Sequence, residues 1–380
     1  MLLATLVGAL LVYQVLLDAF ETIVLPRRVV RRLRLTVLVV RPLWLLWSRP
    51  ARHWRSGERR ETYLSFFGPL ALLLLVAMWA GGLILGFGLV LWGLGAQMAT
   101  STGDTSFGTA LYGSGTTFFT LGLGDVVPHT PLGRALVVLE AGMGFGFLAL
   151  IISYLPVLSQ AFSQREVNVS LLDARAGSPP TAGELLRRHV GPDFEATLGQ
   201  LLVEWERWAA ELMETHLSYP LLATYRSQHE RQSWLAALTT ILDVSALVMV
   251  GIDDAPQRPA RLTFAMARHA AADLSQSLDT KPRFQGHDRL TPADLAALRA
   301  GLREAGIPLR EGPDADQKLA HLRRMYEPYV TALSHRLLMP LPPWLPAPGN
   351  KDAWQITAWG PEPQDLAREE VGSRGGGRAD

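Results

Sequence analysis

Three apolar runs dominate the first 160 positions. Met1–Leu25 is apolar up to Leu17, then carries Asp18 and Glu21 before Pro26. Leu64–Trp92 holds no charge, and Leu132–Leu158 has only Arg134 and Glu140 near its start. A helix needs about 20 apolar residues to cross the hydrocarbon core, so the pattern predicts three spanning helices. The first run lacks the basic start and small-residue cleavage site of a signal peptide. It is expected as a retained anchor, with cleavage or an interfacial helix as alternatives.

After Ser159 the pattern changes. Leu198, Leu201, Leu202, Trp205, Trp208 and Leu212 fall at helical intervals within Phe194–Ser218, which predicts an amphipathic helix on a soluble core. "REVNVSLLDARAGSPPT" predicts a short strand and a turn at Pro179-Pro180, after which Thr181 and Glu184 have capping-box spacing. Leu221–Val250 reads as one increasingly apolar helix. It imitates a fourth span, but Asp243 at its centre and the polar "RSQHERQSW" ahead of it predict a buried core helix. Arg261–Leu278, Thr291–Ala305 and Ala315–Leu338 complete an all-helical domain. "LTPADLAALRAGLREAG" carries a cap, a Pro at the first position and a closing Gly.

Charge orients these elements. The formal net charge is +1, and of 36 basic residues only Lys281, Lys318 and Lys351 are not Arg. Eleven Arg lie between Arg27 and Arg60, opposed only by Glu58 and Glu61. They alternate with Leu, Val and Trp between apolar segments, which fits an anionic inner-leaflet surface better than nucleic acid. Val29–Trp54 is therefore expected as helical pieces lying on that leaflet, with Trp44, Trp47 and Trp54 at headgroup depth; a solvated linker is the alternative. The excess of Arg keeps this loop cytoplasmic. The N-terminus and Gly93–Thr130 then lie outside, and everything after Ser159 lies inside. With no Cys, disulfides, thiolate metal sites and Cys nucleophiles are excluded.

Gly93–Thr130 is far longer than a turn. Ser106–Phe119 is expected as a short helix entered through Asp104 or Thr105, reaching roughly half-way through the bilayer. Gly108, Gly113 and Gly115 weaken it, so packing must hold it. A helix ending there aims the negative end of its dipole at the membrane interior, which favours a cation. Next comes Thr120-Leu121-Gly122-Leu123-Gly124-Asp125. Irregular backbone is tolerated at membrane depth where it lines a water- or ion-filled path. Alternate glycines, free to take positive φ, let successive carbonyls point the same way and replace an ion's hydration shell. Thr120 would supply the innermost oxygen layer, Leu121 and Leu123 an outward cuff, and Asp125 the outer mouth. A phosphate loop is the competing reading; it requires a preceding strand, which "GTALYGSGTTFF" does not resemble, and no Lys follows the glycines.

Thr-x-Gly-x-Gly-Asp after a short helix and between two spans resembles the pore module of potassium channels, over about a quarter of the chain. The resemblance implies K⁺ coordination at Thr120, Leu121, Gly122, Leu123 and Gly124, with K⁺ as permeant ion and no other cofactor. Leu123 departs from the commoner Tyr, while Gly-Leu-Gly is similar to the second pore segment of two-pore-domain potassium channels. Tyr112 either bonds near Asp125 or simply packs. One filter segment per chain cannot close a ring, so a homotetramer is expected.

Thr130-Pro131 is a capped start for the inner helix. Gly142, Gly144 and Gly146 read either as a gating hinge or as close-packing contacts. Pro156 can bend the inner end, and Leu148, Ile152 and Leu155 are candidates for an apolar constriction. Glu140 is an intramembrane acid, with Tyr112 or Arg134 as candidate partners. In the cytoplasmic half, His216, His229 and His269 read as separate histidines. Arg226, His229, Glu230, Arg231 and Asp243 form either a polar pocket or, more in keeping with their spacing, a solvated helix face. No Gly-x-Gly-x-x-Gly follows a strand there, so no nucleotide domain and no regulatory ligand is assigned.

The expected architecture is an all-α membrane protein: an N-terminal transmembrane helix (1–25), an Arg-rich interfacial segment (26–62), a pore module (63–158), a helical cytoplasmic domain (159–346) and a disordered tail (347–380). The expected function is a K⁺-selective channel gated by the inner helix and cytoplasmic domain. A poorly selective cation channel and a non-conducting membrane scaffold are the rivals. An enzyme is the weakest reading, because no nucleophile, acid–base pair or metal cluster stands out.

Overall fold

The computed structural model describes residues 1–25, 35–54, 57–95, 98–99, 105–229, 231–252, 255–283, 288–347, 349 and 352. Of the Arg-rich cluster, Arg27, Arg28, Arg31, Arg32, Arg34 and Arg55 lie outside these residues, as does nearly all of the tail expected to be disordered. Contacts divide the chain into two compact units, Met1–Ala161 and Phe162–Asp380.

The first unit begins with α1 (Leu2–Ala19), which widens into a π-helical turn at Phe20–Val24. Next come α2 (Leu35–His53), α3 (Glu58–Ser65), α4 (Phe67–Gly93), α5 (Phe107–Phe118) and α6 (Pro131–Ala176). α1 runs antiparallel to α4 along small residues: Gly93 lies against Thr5, Gly86 against Val12 and the Gly8 carbonyl, and Gly82 against Val15. Small residues let helix backbones approach closely in an apolar medium. The pairing puts the N-terminus on the same side as the α4–α5 loop. Asp18, fully buried, closes the other end. Its Oδ2 accepts the Trp79 indole N–H at 2.9 Å, the Thr36 backbone N–H at 3.1 Å and the Thr36 hydroxyl at 2.6 Å. A buried carboxylate persists when donors surround it, and these three tie α1, α4 and the first turn of α2 together.

Trp44, expected at headgroup depth, is instead buried at 3 % exposure, edge-on to Phe67 with centroids 4.8 Å apart. The aromatic corner of α3 and α4 offers more apolar contact than a membrane surface. Trp47 stacks on Tyr63 there, and each donates a hydrogen bond to the other's carbonyl. Trp54 does stay exposed.

The second unit packs α7 (Ala182–Arg188), α8 (Phe194–Ser218), α9 (Trp234–Gly251), α10 (Gln257–Ser277), α11 (Pro292–Glu304) and α12 (Pro313–Leu337) around one apolar core. Among the described residues four helices are long and apolar enough to cross a membrane, α9 included. Every residue of α9 except Met249 is buried, whereas only 17 % of the α6 window is. α9 is thus the core of this unit, as its central Asp243 predicts.

Two boundaries differ from expectation. The strand predicted after Gln164 is helix: Val169, Leu172 and Ala176 bury one face of α6 at three- and four-residue spacing. Leu221–Val250 is also not one helix. Pro220–Thr224 is a 3₁₀ turn, Tyr225 is extended, and α9 starts only at Trp234, where the Ser233 hydroxyl accepts from the Ala236 N–H. At Thr291, the capping box with Asp294 and Pro292 in the first turn matches the sequence pattern.

Candidate functional site: the loop between α4 and α6

α5 is capped by Ser106, whose hydroxyl accepts from the Thr109 N–H. The expected cap was Thr105 or Asp104; Asp104 lies outside the described residues. Packing holds this glycine-bearing helix. Gly88 of α4 sits so close to Leu111 that a Cβ would come within 3.2 Å of the Leu111 Cα. The Ser114 hydroxyl meets the Ile84 carbonyl at 2.8 Å.

α5 ends in a Schellman closure. The Thr120 N–H bonds the Thr117 carbonyl at 2.9 Å, and the Leu121 N–H bonds the Thr116 carbonyl at 2.8 Å. Glycine usually fills the left-handed position of that motif. Here Thr120 fills it, with φ 56°, at a cost of about 1–2 kcal/mol for a non-glycine residue. The left-handed state then recurs at every second residue, with φ 55° at Gly122 and 79° at Gly124. Residues 120–125 are all exposed in the single chain, Leu121 and Leu123 by 61 % and 62 %. The Tyr112 hydroxyl donates to Asp125 Oδ2 at 2.9 Å, which anchors the acidic end of the loop to the middle of α5. Val127–Pro128 pairs antiparallel with Met98–Ala99. Thr130 caps α6 through the Gly133 N–H, and Arg134 donates to the Pro128 carbonyl.

Gly142, Gly144 and Gly146 of α6 are not alike. A Cβ on Gly144 would strike the Phe118 carbonyl at the end of α5, while Gly142 and Gly146 have open space beside them. Gly144 is therefore a packing contact. Pro156 sits inside α6 and removes the bond to the Ile152 carbonyl. Leu148, Ile152 and Leu155 are exposed within the chain. Glu140 is completely buried, and its partner is Ser114 rather than Tyr112 or Arg134; its second oxygen has no hydrogen-bond partner among the described residues. The pairing is across helices, so no spacing in the sequence announces it.

Among the described residues of the second unit neither the solvated helix face expected for Arg226, His229, Glu230, Arg231 and Asp243 nor the alternative polar pocket is found: Arg226 and Asp243 are buried, and residues 226–229 lie outside any helix. Arg226 donates to the carbonyls of Leu337 and Leu338, while Asp243 is held by Arg289 and Tyr326, and Glu230 lies outside the described residues. His269 faces Asp273 on its own helix at 3.7 Å. His216 is buried and takes part in a cluster that sequence reasoning missed. Arg165 Nη1 donates to His216 Nε2 at 3.2 Å and to the Leu222 carbonyl at 2.9 Å, and Nη2 to the Tyr225 carbonyl at 3.1 Å. Guanidinium only donates, so Nε2 accepts and Nδ1–H donates to the Leu212 carbonyl at 2.9 Å. Burial and the neighbouring Arg165 charge push the His216 imidazole well below its ordinary value. A cleft lined by Arg175, Arg188, His189, Asp193 and Glu204 has its arginines already paired, Arg175 with Glu204 and Arg188 with Glu184 and Asp352. Among the described residues no group of three or more His, Asp or Glu is placed to hold a metal ion.

Residues 72–158 match a family model described as an ion channel. Over 256 residues, 67 % of this chain and 72 % of the other, the sequence is 25 % identical to the uncharacterized membrane protein YdjJ of Bacillus subtilis (strain 168). No solved structure matches. The match spans most of α4, all of α5 and the filter-like loop, and the part of α6 up to Leu158, the elements whose geometry is given above. This chain is a membrane protein whose residues 72–158 match the ion channel family model, consistent with a two-helix, potassium-channel-like pore module.

Proposed function

We propose that four copies of this chain form a K⁺-selective channel, with Thr120–Gly124 as the selectivity filter. The observation that carries the reading is the alternation of left-handed residues at 120, 122 and 124, which turns successive carbonyls towards one side. A stack of such carbonyls replaces the hydration shell of a cation. The strain at Thr120 agrees with this, since a β-branched residue is kept left-handed only where surrounding structure enforces it. Asp125, braced by Tyr112, places a carboxylate at the outer mouth.

In this reading the N-terminus is outside the cell, α2 rests on the anionic inner leaflet through Arg41, Arg49 and Arg52, and the second unit is cytoplasmic. α6 is one helix from Pro131 to Ala176. Its inner stretch around Leu148, Ile152 and Leu155 forms the gate, with Pro156 and the open flanks of Gly142 and Gly146 as the places where it bends. The second unit acts on that helix as the regulatory module.

Purified protein in liposomes should pass K⁺ under a gradient and pass Na⁺ poorly. Gly122→Asp should abolish flux while the protein still assembles, because a side chain there meets a left-handed backbone and closes the ion path. Equal K⁺ and Na⁺ flux would leave a pore and reject its selectivity. No flux from the intact protein or from a form truncated after Pro180 would reject the pore.

A further inference from the structure

Two residues of α6, one helical turn apart, meet two residues of α5, also one turn apart: Glu140 meets Ser114, and Gly144 meets the carbonyl of Phe118. Two residues beyond Phe118 is Thr120, where the filter begins. The opposite side of the same serine is occupied by the Ile84 carbonyl of α4 at 2.8 Å. Ser114 is thus the point at which all three helices of the pore module share one hydroxyl.

The count of hydrogens decides the chemistry there. A serine hydroxyl has one hydrogen and two lone pairs. A backbone carbonyl only accepts, so the serine hydrogen belongs to Ile84. If Glu140 were ionised it would be a second pure acceptor against the same oxygen, with nothing between them. Among the described residues no basic side chain pairs with Glu140, Arg134 being bound to the Pro128 carbonyl, and none bonds Glu140 Oε2. A buried carboxylate without a cation or a donor is strongly disfavoured. A carboxylic acid removes both the buried charge and the clash of acceptors, leaving only a neutral carbonyl oxygen unpaired: Glu140 donates to Ser114, which donates to Ile84.

We propose that Glu140 is held as a neutral acid and, with Gly144, forms a two-point seat by which the inner helix positions the pore helix and hence the filter. Gly144 sets how closely α6 approaches the end of α5. The Glu140–Ser114–Ile84 chain sets the register of the three helices. A displacement of α6 at this level carries the end of α5 with it, so ion selectivity and the state of the inner helix are mechanically linked. Glu140 is a positioning residue: it touches no ion.

The inference rests on the channel reading, and its test separates the two. Full-length protein reconstituted in liposomes is compared as wild type, Glu140→Gln, Glu140→Ala and Ser114→Ala, with assembly checked by size. The readout is the K⁺ over Na⁺ permeability ratio from reversal potentials. Glutamine keeps a donor and no charge, so Glu140→Gln should match the wild type. Glu140→Ala and Ser114→Ala leave a buried group unpaired and should lower the ratio by about tenfold. Should Glu140→Ala fail to assemble, the Gln and Ser114 variants still decide. A Gln variant as unselective as Ser114→Ala, or a Ser114→Ala variant as selective as wild type, would overturn the seat. Infrared spectra at neutral pH give a second readout, independent of conduction. The wild type should show the carbonyl stretch of a buried carboxylic acid that Glu140→Gln lacks, and identical spectra would overturn the neutral assignment. A wild type silent to both cations removes the channel reading and the filter role with it, while the infrared band still decides the proton.

Discussion

Among the glycines of α6, a single methyl group distinguishes two roles that the spacing of three glycines leaves open. At Gly144 the methyl would enter the space held by the Phe118 carbonyl, which is backbone and has little freedom to move. Gly144→Ala is expected to destabilise the assembled protein by about 1–3 kcal/mol, the usual cost of overpacking, seen as a lower melting temperature in detergent or nanodiscs. Gly142→Ala and Gly146→Ala meet nothing within the chain. In a helix interior they gain up to about 1 kcal/mol of helix propensity, so their melting temperature should hold or rise. If these two positions supply the bending of the gate, the same substitutions should slow or reduce opening in flux assays. Equal melting behaviour for all three variants would show that the approach to Phe118 is not a constraint.

Whole elements were more legible than the joints between them. The three long apolar runs, the short helix before the filter motif, the α9 core helix and the Thr291 cap all follow from periodicity and local chemistry, which act within a few residues. The strand expected after Gln164 failed because Val169, Leu172 and Ala176 take their meaning from a core built of distant helices. The break near Tyr225 failed for a like reason: the indole N–H of Trp234 donates to the Ala223 carbonyl, a tertiary contact with no sequence period. Arg165 belongs to this class: besides its neighbour Glu166, its partners lie about 50 to 60 residues away. The element-level prediction concerns that cluster. The folded imidazole of His216 stays neutral while the unfolded one protonates near its ordinary value of about 6.5. Below that pH the unfolded chain binds more protons, so the cluster's contribution is present above about pH 6.5 and is lost as pH falls. The slope is on the order of 1.4 kcal/mol per pH unit for one proton. Melting temperature against pH should show this fall in the full-length protein, and His216→Gln, which cannot protonate, should flatten it.

At the scale of the molecule the exposed surfaces differ in what can cover them. Leu2, Leu3 and Leu73 are 75 %, 75 % and 63 % exposed on α1 and α4, and lipid chains are a suitable neighbour for an apolar helix whose backbone bonds are internal. Leu121 and Leu123 are as exposed, but they stand on irregular backbone whose carbonyls have no helical partners, and hydrocarbon cannot satisfy those groups. Water alone would leave two leucines bare, and lipid alone would leave the carbonyls unpaired. In the proposed channel, other copies of the chain around a central ion path would meet both demands at once, with the leucines packed against protein and the carbonyls turned to cations. Native mass spectrometry from nanodiscs should therefore give four chains per particle. Leu121→Ala and Leu123→Ala should lower the temperature at which the particle dissociates, each losing about 2–5 kcal/mol per site if the side chain is fully packed in the assembly. Leu73→Ala, on a surface assigned to lipid, should leave dissociation unchanged. A monomeric particle in lipid, or equal effects of all three substitutions, would mean that something other than copies of this chain covers the loop, and the reading of the filter would fall with it.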